Sequence, residues 1–335
     1  LNPSLAGIYK MPLYFSIFTF IFGLFSTFFI LNKGINVLAK YSLDMPNNRS
    51  LHKKPVPRGG GLAFIIPLLL FDLLTLFFGS FNTSFPLSLL CLPLIIISFW
   101  DDLFNVSSIS RYLVQFFTSA IVLSFSGLNI LFSLSLKNSF IFALLILIIT
   151  GIINFTNFMD GSDGLVVGCM IIMFLTLNIK FNFSFNLSLL LGSLLTFLSW
   201  NWPPAKIFMG DVGSNFLGIY FVANLLQLPK SEILGLLLIG SPLFGDALIT
   251  LIKRFLSGQN IFKAHRQHLY QRLCLGKLSK KKVCLIYVLQ SSILSFMYLR
   301  FNLTNEIVAV FIFFLIMYIL DFKYALSFRK SIEFD

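Results

Sequence analysis

The sequence predicts an all-α, polytopic membrane bundle: a single integral membrane domain covering residues 1–335. Three observations carry that prediction. Hydrophobic residues make up 57% of the chain, and its mean hydropathy is +0.89. Charged residues make up only 11%, under half of the ~25% usual in soluble domains. The apolar residues are gathered into eleven runs separated by brief polar segments, which leaves no stretch for a separate soluble domain.

A spanning helix needs about 20 apolar residues, with a range of ~17–25. Residues 11–31 meet this without a charge, and with no small-residue cleavage site they read as a retained first span rather than a signal peptide. The second run, 60–78, opens on the last two of three glycines and contains Asp72, to which the sequence assigns no role. Residues 86–100 end at an acid pair, and 109–128 carry Arg111 at their entrance. Residues 139–153 run into a ladder of amides and acids. The runs 165–179, 185–200 and 214–228 follow with short breaks. Residues 233–255 hold Asp246, 283–299 follow three lysines, and 307–320 complete the set. The shorter runs borrow polar flanking residues to reach spanning length.

Eleven crossings put the termini on opposite sides. Alternation then places Lys33, Lys40, Arg49, Lys53, Lys54, Arg58, Arg111, Lys206, Lys253, Arg254, Lys263, Arg266, Arg272, Lys277, Lys280, Lys281, Lys282, Lys323, Arg329 and Lys330 on one side, 20 of the 25 basic residues. Basic residues concentrate on the cytoplasmic side. The expected orientation is therefore N-terminus outside and C-terminus cytoplasmic. Because the net charge of +12 is distributed between apolar runs, nucleic acid is excluded as a partner and a lipid bilayer expected. Cys91, Cys169, Cys274 and Cys284 form no C-x-x-C pair, which excludes a disulfide framework and a zinc site.

The three histidines and Asp44, Asp101, Asp102, Asp160, Asp163 and Asp211 all fall on the cytoplasmic side, from loops far apart in sequence. A composite site at that membrane edge is expected. In "NFTNFMDGSDGL" the spacing of three puts Asn154, Asn157 and Asp160 along one strip of a helix. Asp163 sits between glycines, placed either to cap the next helix or to serve the site. In "WDDLFN" the neighbours Asp101 and Asp102 point different ways on a helix, so one can coordinate while the other faces substrate. In "FMGDVGSNFLG" an acid, Asp211, stands where a helix start favours anions. A hard divalent cation bridging carboxylate and phosphate resolves that conflict. Phe208 is placed to stack on a base.

The loop "DMPNNRSLHKKPVPRGGGLAF" offers Lys53, Lys54 and Arg58 with a glycine-rich helix entry suited to phosphate. In "PLFGDALITLIKRFLSGQNIFKAHRQHLYQRL", Asp246 is an intramembrane acid and hence a functional candidate. Arg266, His268, Tyr270, Gln271 and Arg272 follow as a cluster suited to pyrophosphate or sugar.

These five motifs, in this order and each at an inner membrane edge, resemble the bacterial polyprenyl-phosphate N-acetylhexosamine-1-phosphate transferases of glycosyltransferase family 4, over nearly the whole chain. The resemblance implies transfer of a sugar-1-phosphate from a UDP-N-acetylhexosamine to undecaprenyl phosphate in the bacterial inner membrane, with release of UMP. It implies Mg2+, or Mn2+ in its place, held by Asp211 with Asp160. It makes Asp101, Asp102, Asp160 and His268 catalytic. It places Asn154, Asn157, Asp163, Asn201, Phe208, Lys53, Arg58, Asp246, Arg266 and Arg272 around the substrates, and it implies a homodimer. Many members carry H-x-H-H-x-L where this chain has Tyr270 and Gln271 in place of two histidines. That form resembles the branch that starts O-antigen-type chains with 6-deoxy sugars such as N-acetylfucosamine or N-acetylquinovosamine; N-acetylglucosamine is the default otherwise. Direct attack by the lipid phosphate and a covalent aspartyl intermediate both remain open. The competing class is an ion-coupled transporter, which expects internal repeats and polar groups on both membrane sides.

Overall fold

The computed structural model of the chain describes residues 13–46, 50–78, 86–126, 136–261, 263 and 265–332. Lys10 and Arg49, both used in the charge count, lie outside the described residues. Among the described residues the chain is helical apart from one small hairpin. The order is α1 (Leu13–Tyr41), β1 (Leu43–Asp44), β2 (Val56–Pro57), α2 (Leu62–Phe78), α3 (Leu87–Leu90), α4 (Leu92–Phe104), α5 (Ser108–Ser124) and α6 (Leu136–Met159). It continues with α7 (Leu165–Lys180), α8 (Phe185–Asn201), α9 (Gly210–Leu225), α10 (Lys230–Ile239), α11 (Ser241–Leu256), α12 (Leu269–Leu275), α13 (Lys280–Arg300), α14 (Leu303–Tyr324) and α15 (Phe328–Ile332).

Within the described residues, each of the eleven apolar runs falls mainly on helix, as the all-α class requires. By length and composition α1, α6, α13 and α14 can each cross a membrane, and α10 with α11 forms a fifth candidate bent by 76°. The bend corrects the expectation of one straight helix over 233–255. Pro242 stands in the first turn of α11, where its ring and missing N–H prevent a continuous helix from α10. Residues 86–100 are likewise divided, between α3 and α4, with a proline in the first turn of α4. The helix α1 continues well past its apolar run to Tyr41.

The long helices turn apolar side chains outward. On α1, Phe18, Phe25 and Phe29 are exposed, and on α14 Phe311, Leu315 and Phe322 are. Apolar surface on that scale marks a membrane-facing exterior. The centre is α9, in which every residue except Asp211 is buried; it packs against α4 and α6. Asp72, in α2, ties three helices together. Its carboxylate accepts from Ser88 N (3.2 Å) and Ser88 Oγ (2.5 Å) at the start of α3, and from Asn186 Nδ2 (2.6 Å) on α8.

The first loop is a hairpin, with Leu43 opposite Pro57 and Asp44 opposite Val56. It docks on the segment entering α9: Phe208 N donates to Pro57 O (2.8 Å), Gly60 N to Phe208 O (2.9 Å) and Gly61 N to Met209 O (2.9 Å). A Cβ at Gly61 would lie 2.6 Å from Gly213 N and 2.8 Å from Met209 O. The glycine run is therefore a close backbone crossing of α2 and α9. The N–H groups of Gly60 and Gly61 are engaged there rather than offered to phosphate, which corrects that reading of the loop. The crossing brings Arg58 over the start of α9.

Candidate active site

Three helix ends meet beneath the hairpin: the C-terminal ends of α4 and α6 and the N-terminal end of α9. Between them lies a cleft of about 550 Å³, lined in part by Arg58, Asp101, Arg111, Asn157, Asp160 and Asp211.

Asp211 is at the centre. Its Oδ1 meets Arg58 Nη2 (3.0 Å) and Asn157 Nδ2 (3.1 Å), and its Oδ2 lies 3.5 Å from Arg111 Nη1. Burial works against its charge, but Arg58, a hydrogen bond shared with Asp101, Asn157 and Arg111 together hold Asp211 below the usual carboxylate range. Asp101 moves the other way. Burial and the hydrogen bond and negative charge of Asp211 raise it, against Arg111 at 2.7 Å and the Val106 amide at 2.6 Å. The two carboxyls thus shift in opposite directions, each in answer to the other and to the arginine beside it.

The acid pair is split as the helix geometry requires. Asp102 points away from the cleft and accepts from Asp211 N (2.8 Å) and Val212 N (3.1 Å), the first free amides of α9. Arg58 Nε reaches it at 2.7 Å. Burial lifts Asp102 to about 7, with Arg58 opposing and Asp211 reinforcing the rise. Gly210 makes this contact feasible: it has φ +75°, and a Cβ there would run into the Asp102 carboxylate and lie 2.8 Å from Gly59 N. Asp160 lies just past the end of α6; burial, then the charge of Asp211, raises its pKa well above the ordinary carboxylate value.

The asparagine ladder divides between two neighbours. Asn157 donates to Asp211 and to Ser214 Oγ (3.0 Å), whereas Asn154 is paired with Gln115 on α5 (2.9 Å) and stays out of the cleft. At the far wall, Asp163 binds Lys280 Nζ (2.9 Å) and Ala205 N (3.2 Å), so it does not cap α7, whose N-cap is Gly164. Phe208 lines the cleft with the edge of His52 against it, ring centres 5.1 Å apart. Asn201 touches the cleft, but its amide is occupied at both ends, accepting from Gly164 N (2.9 Å) and donating to Ile207 O (2.8 Å).

The structure does not bring Lys53, Arg266, Asp246, His268 or Arg272 to the cleft. Lys53 is exposed on the hairpin loop. Arg272 is fully engaged by Asp321 (2.6 and 2.8 Å), Leu326 O and Gln267 O. His268 is buried, and burial with Arg254 and Arg272 nearby lowers its pKa to about 3, so it is neutral. Asp246 accepts from the amides of Leu269 and Tyr270 and from the Tyr287 hydroxyl. The cavity beside it is only about 40 Å³, enough for little more than a water.

Some cleft residues carried no assigned role in the sequence. Arg111 touches two acids at once and Lys280 pairs with Asp163; Tyr270 and Gln271, expected in a cluster for pyrophosphate or sugar, do line the wall. Arg111 was within reach of sequence reasoning, since it follows Asp101 by ten residues across one helix end and the next start. The partners of Lys280 and Tyr270 are more than a hundred residues away.

Among the described residues no three His, Cys, Asp or Glu side chains converge as a ready metal cage. Two facing carboxyls fit a hard cation that takes its other oxygens from phosphate.

Residues 84–228 match glycosyl transferase family 4. The chain is similar to a probable undecaprenyl-phosphate N-acetylglucosaminyl 1-phosphate transferase of Bacillus subtilis, 30% identical over 268 residues, covering 74% of each chain. The chain belongs to this family. An undecaprenyl-phosphate alpha-N-acetylglucosaminyl 1-phosphate transferase of Thermotoga maritima is 27% identical over 310 residues, 90% of this chain and 96% of the relative. A phospho-N-acetylmuramoyl-pentapeptide-transferase of Petrotoga mobilis is 31% identical over 234 residues, 62% of this chain and 73% of the relative. Of the sequence-predicted residues that line the cleft, the family segment carries Asp101, Asn157, Asp160, Asp163, Asn201, Phe208 and Asp211, whereas Arg58, Tyr270 and Gln271 lie outside it. Membership supports a multi-pass membrane sugar-phosphate transferase and gives no support to a transporter.

Proposed function

We propose that the protein transfers an N-acetylhexosamine-1-phosphate from its UDP-sugar to undecaprenyl phosphate, releasing UMP at the cytoplasmic edge of a bacterial inner membrane. The observation that carries this is Asp211, held between Arg58 and Arg111 on the wall of a large cleft at the ends of apolar helices. Acids with interleaved arginines suit two anionic substrates and a divalent cation better than either substrate alone. The relatives' names favour N-acetylglucosamine as the sugar and a polyprenyl phosphate as the acceptor.

In this reaction an oxygen of the lipid phosphate attacks the β-phosphorus of the UDP-sugar. The new P–O bond forms as the β-phosphorus to bridging-oxygen bond breaks, and UMP leaves with that electron pair. Phosphoryl transfer is catalysed mainly by positioning and charge. Arg58 and Arg111 neutralise the pyrophosphate and the lipid phosphate. Mg2+, held by Asp211 with Asp101 or Asp160, supplies further positive charge when bound. A phosphate monoester has a second pKa near ~6, so the attacking group is already largely dianionic at pH 7. Asp101 then serves to orient rather than to remove a proton, and direct attack is preferred to an aspartyl intermediate. Asp160 and Asn157 face the pyrophosphate, while Phe208 and His52 form an aromatic edge for the base.

The charge distribution supports eleven crossings with the N-terminus outside, an arrangement in which this cleft faces the cytoplasm, where UDP-sugars are. Tyr270 and Gln271 on the cleft wall favour a second donor class, the 6-deoxy N-acetylhexosamines, and with it a role in starting an O-antigen-type chain. The purified protein with undecaprenyl phosphate is to be given UDP-GlcNAc, UDP-GalNAc and UDP-linked 6-deoxy sugars in parallel. Lipid-linked sugar phosphate formed with one donor supports the reading and identifies the sugar; folded protein that forms none with any of them refutes it.

A further inference from the structure

The helix α6 ends at Met159, and its last carbonyls have no partner within the helix. The turn that follows carries Asp160 into the cleft. Its geometry is fixed from outside. The Tyr270 hydroxyl donates to Phe158 O (3.0 Å) and accepts from Gly161 N (3.1 Å), so one group closes both sides of the turn around Asp160. Tyr270 is fully buried. The approach is close enough that a Cβ on Gly161 would collide with the hydroxyl, so the glycine is what admits it.

Tyr270 is itself held from below. The two oxygens of Asp246 accept from Leu269 N (2.7 Å) and Tyr270 N (3.0 Å), the first amides of α12. Tyr287 of α13 donates its hydroxyl to the same carboxylate at 2.7 Å, and Thr250 of α11 at 3.2 Å. The Asp246 carboxylate has four donors and no face on the cleft. Its placement explains an acid inside an apolar run: it fixes the start of α12, and with it the tyrosine. The support runs from α11 and α13, through Asp246, to Tyr270, to the Asp160 turn, and from Asn157 on the preceding turn to Asp211.

We propose that Tyr270 is a positioning residue for the transfer reaction. It acts through the 158–161 turn to hold Asp160 against the Asp211 cluster, with Asp246 as its anchor. This rests on the function proposed above. The positioning role is absent from the sequence motif, where Tyr270 reads as a replacement for histidine and as one of a cluster suited to pyrophosphate or sugar. A histidine has the hydrogen-bonding atoms but is shorter than tyrosine, whose phenol reaches across to Gly161.

The test is Tyr270→Phe, which removes one oxygen and keeps the ring in its pocket. It is compared with Asp160→Asn and with the double variant, by steady-state UMP release with saturating lipid acceptor. Wild-type turnover, measured alongside, tests the proposed function separately. With wild type active, Tyr270→Phe is expected to lower kcat about 10-fold while the KM for the UDP-sugar changes less than about 3-fold. In the Asp160→Asn background the same substitution is expected to cost less than about 2-fold, because the group it positions is already gone. Tyr270→His is expected to recover less than half of the lost kcat. Equal kcat in Tyr270→Phe and wild type would overturn the proposal. So would a full 10-fold further loss in the double variant, since it would mean that Tyr270 acts independently of Asp160. Asp246→Asn keeps one of the two acceptor oxygens and sets an NH2 against the donors of the other, and is expected to show the same kcat-selective loss; a KM effect there instead would return Asp246 to the substrate and overturn the anchoring role.

Discussion

Removing Arg58 should unfold the site through Asp102 rather than through any lost substrate contact. Arg58 Nε lies 2.7 Å from an Asp102 carboxylate whose side chain has 0% exposure, and Arg58 itself is 28% exposed. At an effective dielectric of about 20 the gross attraction of unit charges at that distance is ~6 kcal/mol. Desolvation of both groups cancels much of it, and breaking one side of a buried pair typically costs ~3–5 kcal/mol. Asp102 also keeps two backbone donors from α9, which places Arg58→Ala near the low end, about 3 kcal/mol. Arg58→Lys should recover part of this, because an ammonium cannot bridge Asp102 and Asp211 as the guanidinium does. The decisive variant is Arg58→Ala with Asp102→Asn: Asp102, already lifted to about 7 beside Arg58, must take up a proton on folding once Arg58 is gone, and the asparagine is spared that cost. Thermal unfolding in detergent should show the double variant more stable than Arg58→Ala alone by about 2 kcal/mol, a coupling expected of residues in direct contact. If Arg58→Ala unfolds with wild type, or if the two substitutions simply add, the assignment of this pair is wrong.

Three further outcomes follow from the same geometry. Gly210→Ala introduces a Cβ at φ +75° against the Asp102 carboxylate; the backbone alone costs ~1–2 kcal/mol, and UMP release should fall at least 10-fold with a lower Tm, whereas Gly258→Ala at φ +68° in open space should cost only the backbone part. Asn201→Ala leaves a buried amide and carbonyl unpaired and should lower stability by ~2–3 kcal/mol with little change in the KM for UDP-sugar; a KM effect without a stability loss would place Asn201 on the substrate. His268 is held neutral by burial, with a pKa of about 3 against its ordinary 6.5. The unfolded chain takes up that proton first, so this contribution to stability is complete above pH 6.5 and is lost as pH falls toward 3. His268→Gln should flatten the acid side of the stability curve in that window, and no limb of the pH–activity profile near 6.5 should disappear with it.

The helices were legible because apolar runs report directly on burial and lipid contact, and within the described residues each run falls mainly on helix. The breaks at Gly240 and Cys91 were visible only as glycine and proline inside runs that otherwise read as continuous. The cleft acids Asp101, Asp160 and Asp211 were legible because each stands at the edge of an apolar run, Asp160 and Asp211 next to a glycine. Sequence position could not separate Asp101 from Asp102; that depends on which face of α4 meets the start of α9. Asp246, His268 and Arg272 looked like site residues for the same reason that makes them structural: a polar cluster at a membrane edge must be satisfied somewhere, and here it is satisfied by α12, α13 and Asp321. Tyr270 and Lys280 reach the cleft through packing between distant helices, which no local pattern encodes.

The central claim is that Asp211 organises phosphoryl transfer with a divalent cation. Its most direct test is UMP release from UDP-GlcNAc, or from whichever donor is preferred, by protein with undecaprenyl phosphate, in Mg2+ and in EDTA, for wild type and Asp211→Asn. The account predicts rapid release with Mg2+, none in EDTA, recovery on adding Mg2+ back, and a loss of at least about 100-fold in Asp211→Asn with its fold retained. Release that persists in EDTA, or an Asp211→Asn protein that turns over like wild type, would contradict it.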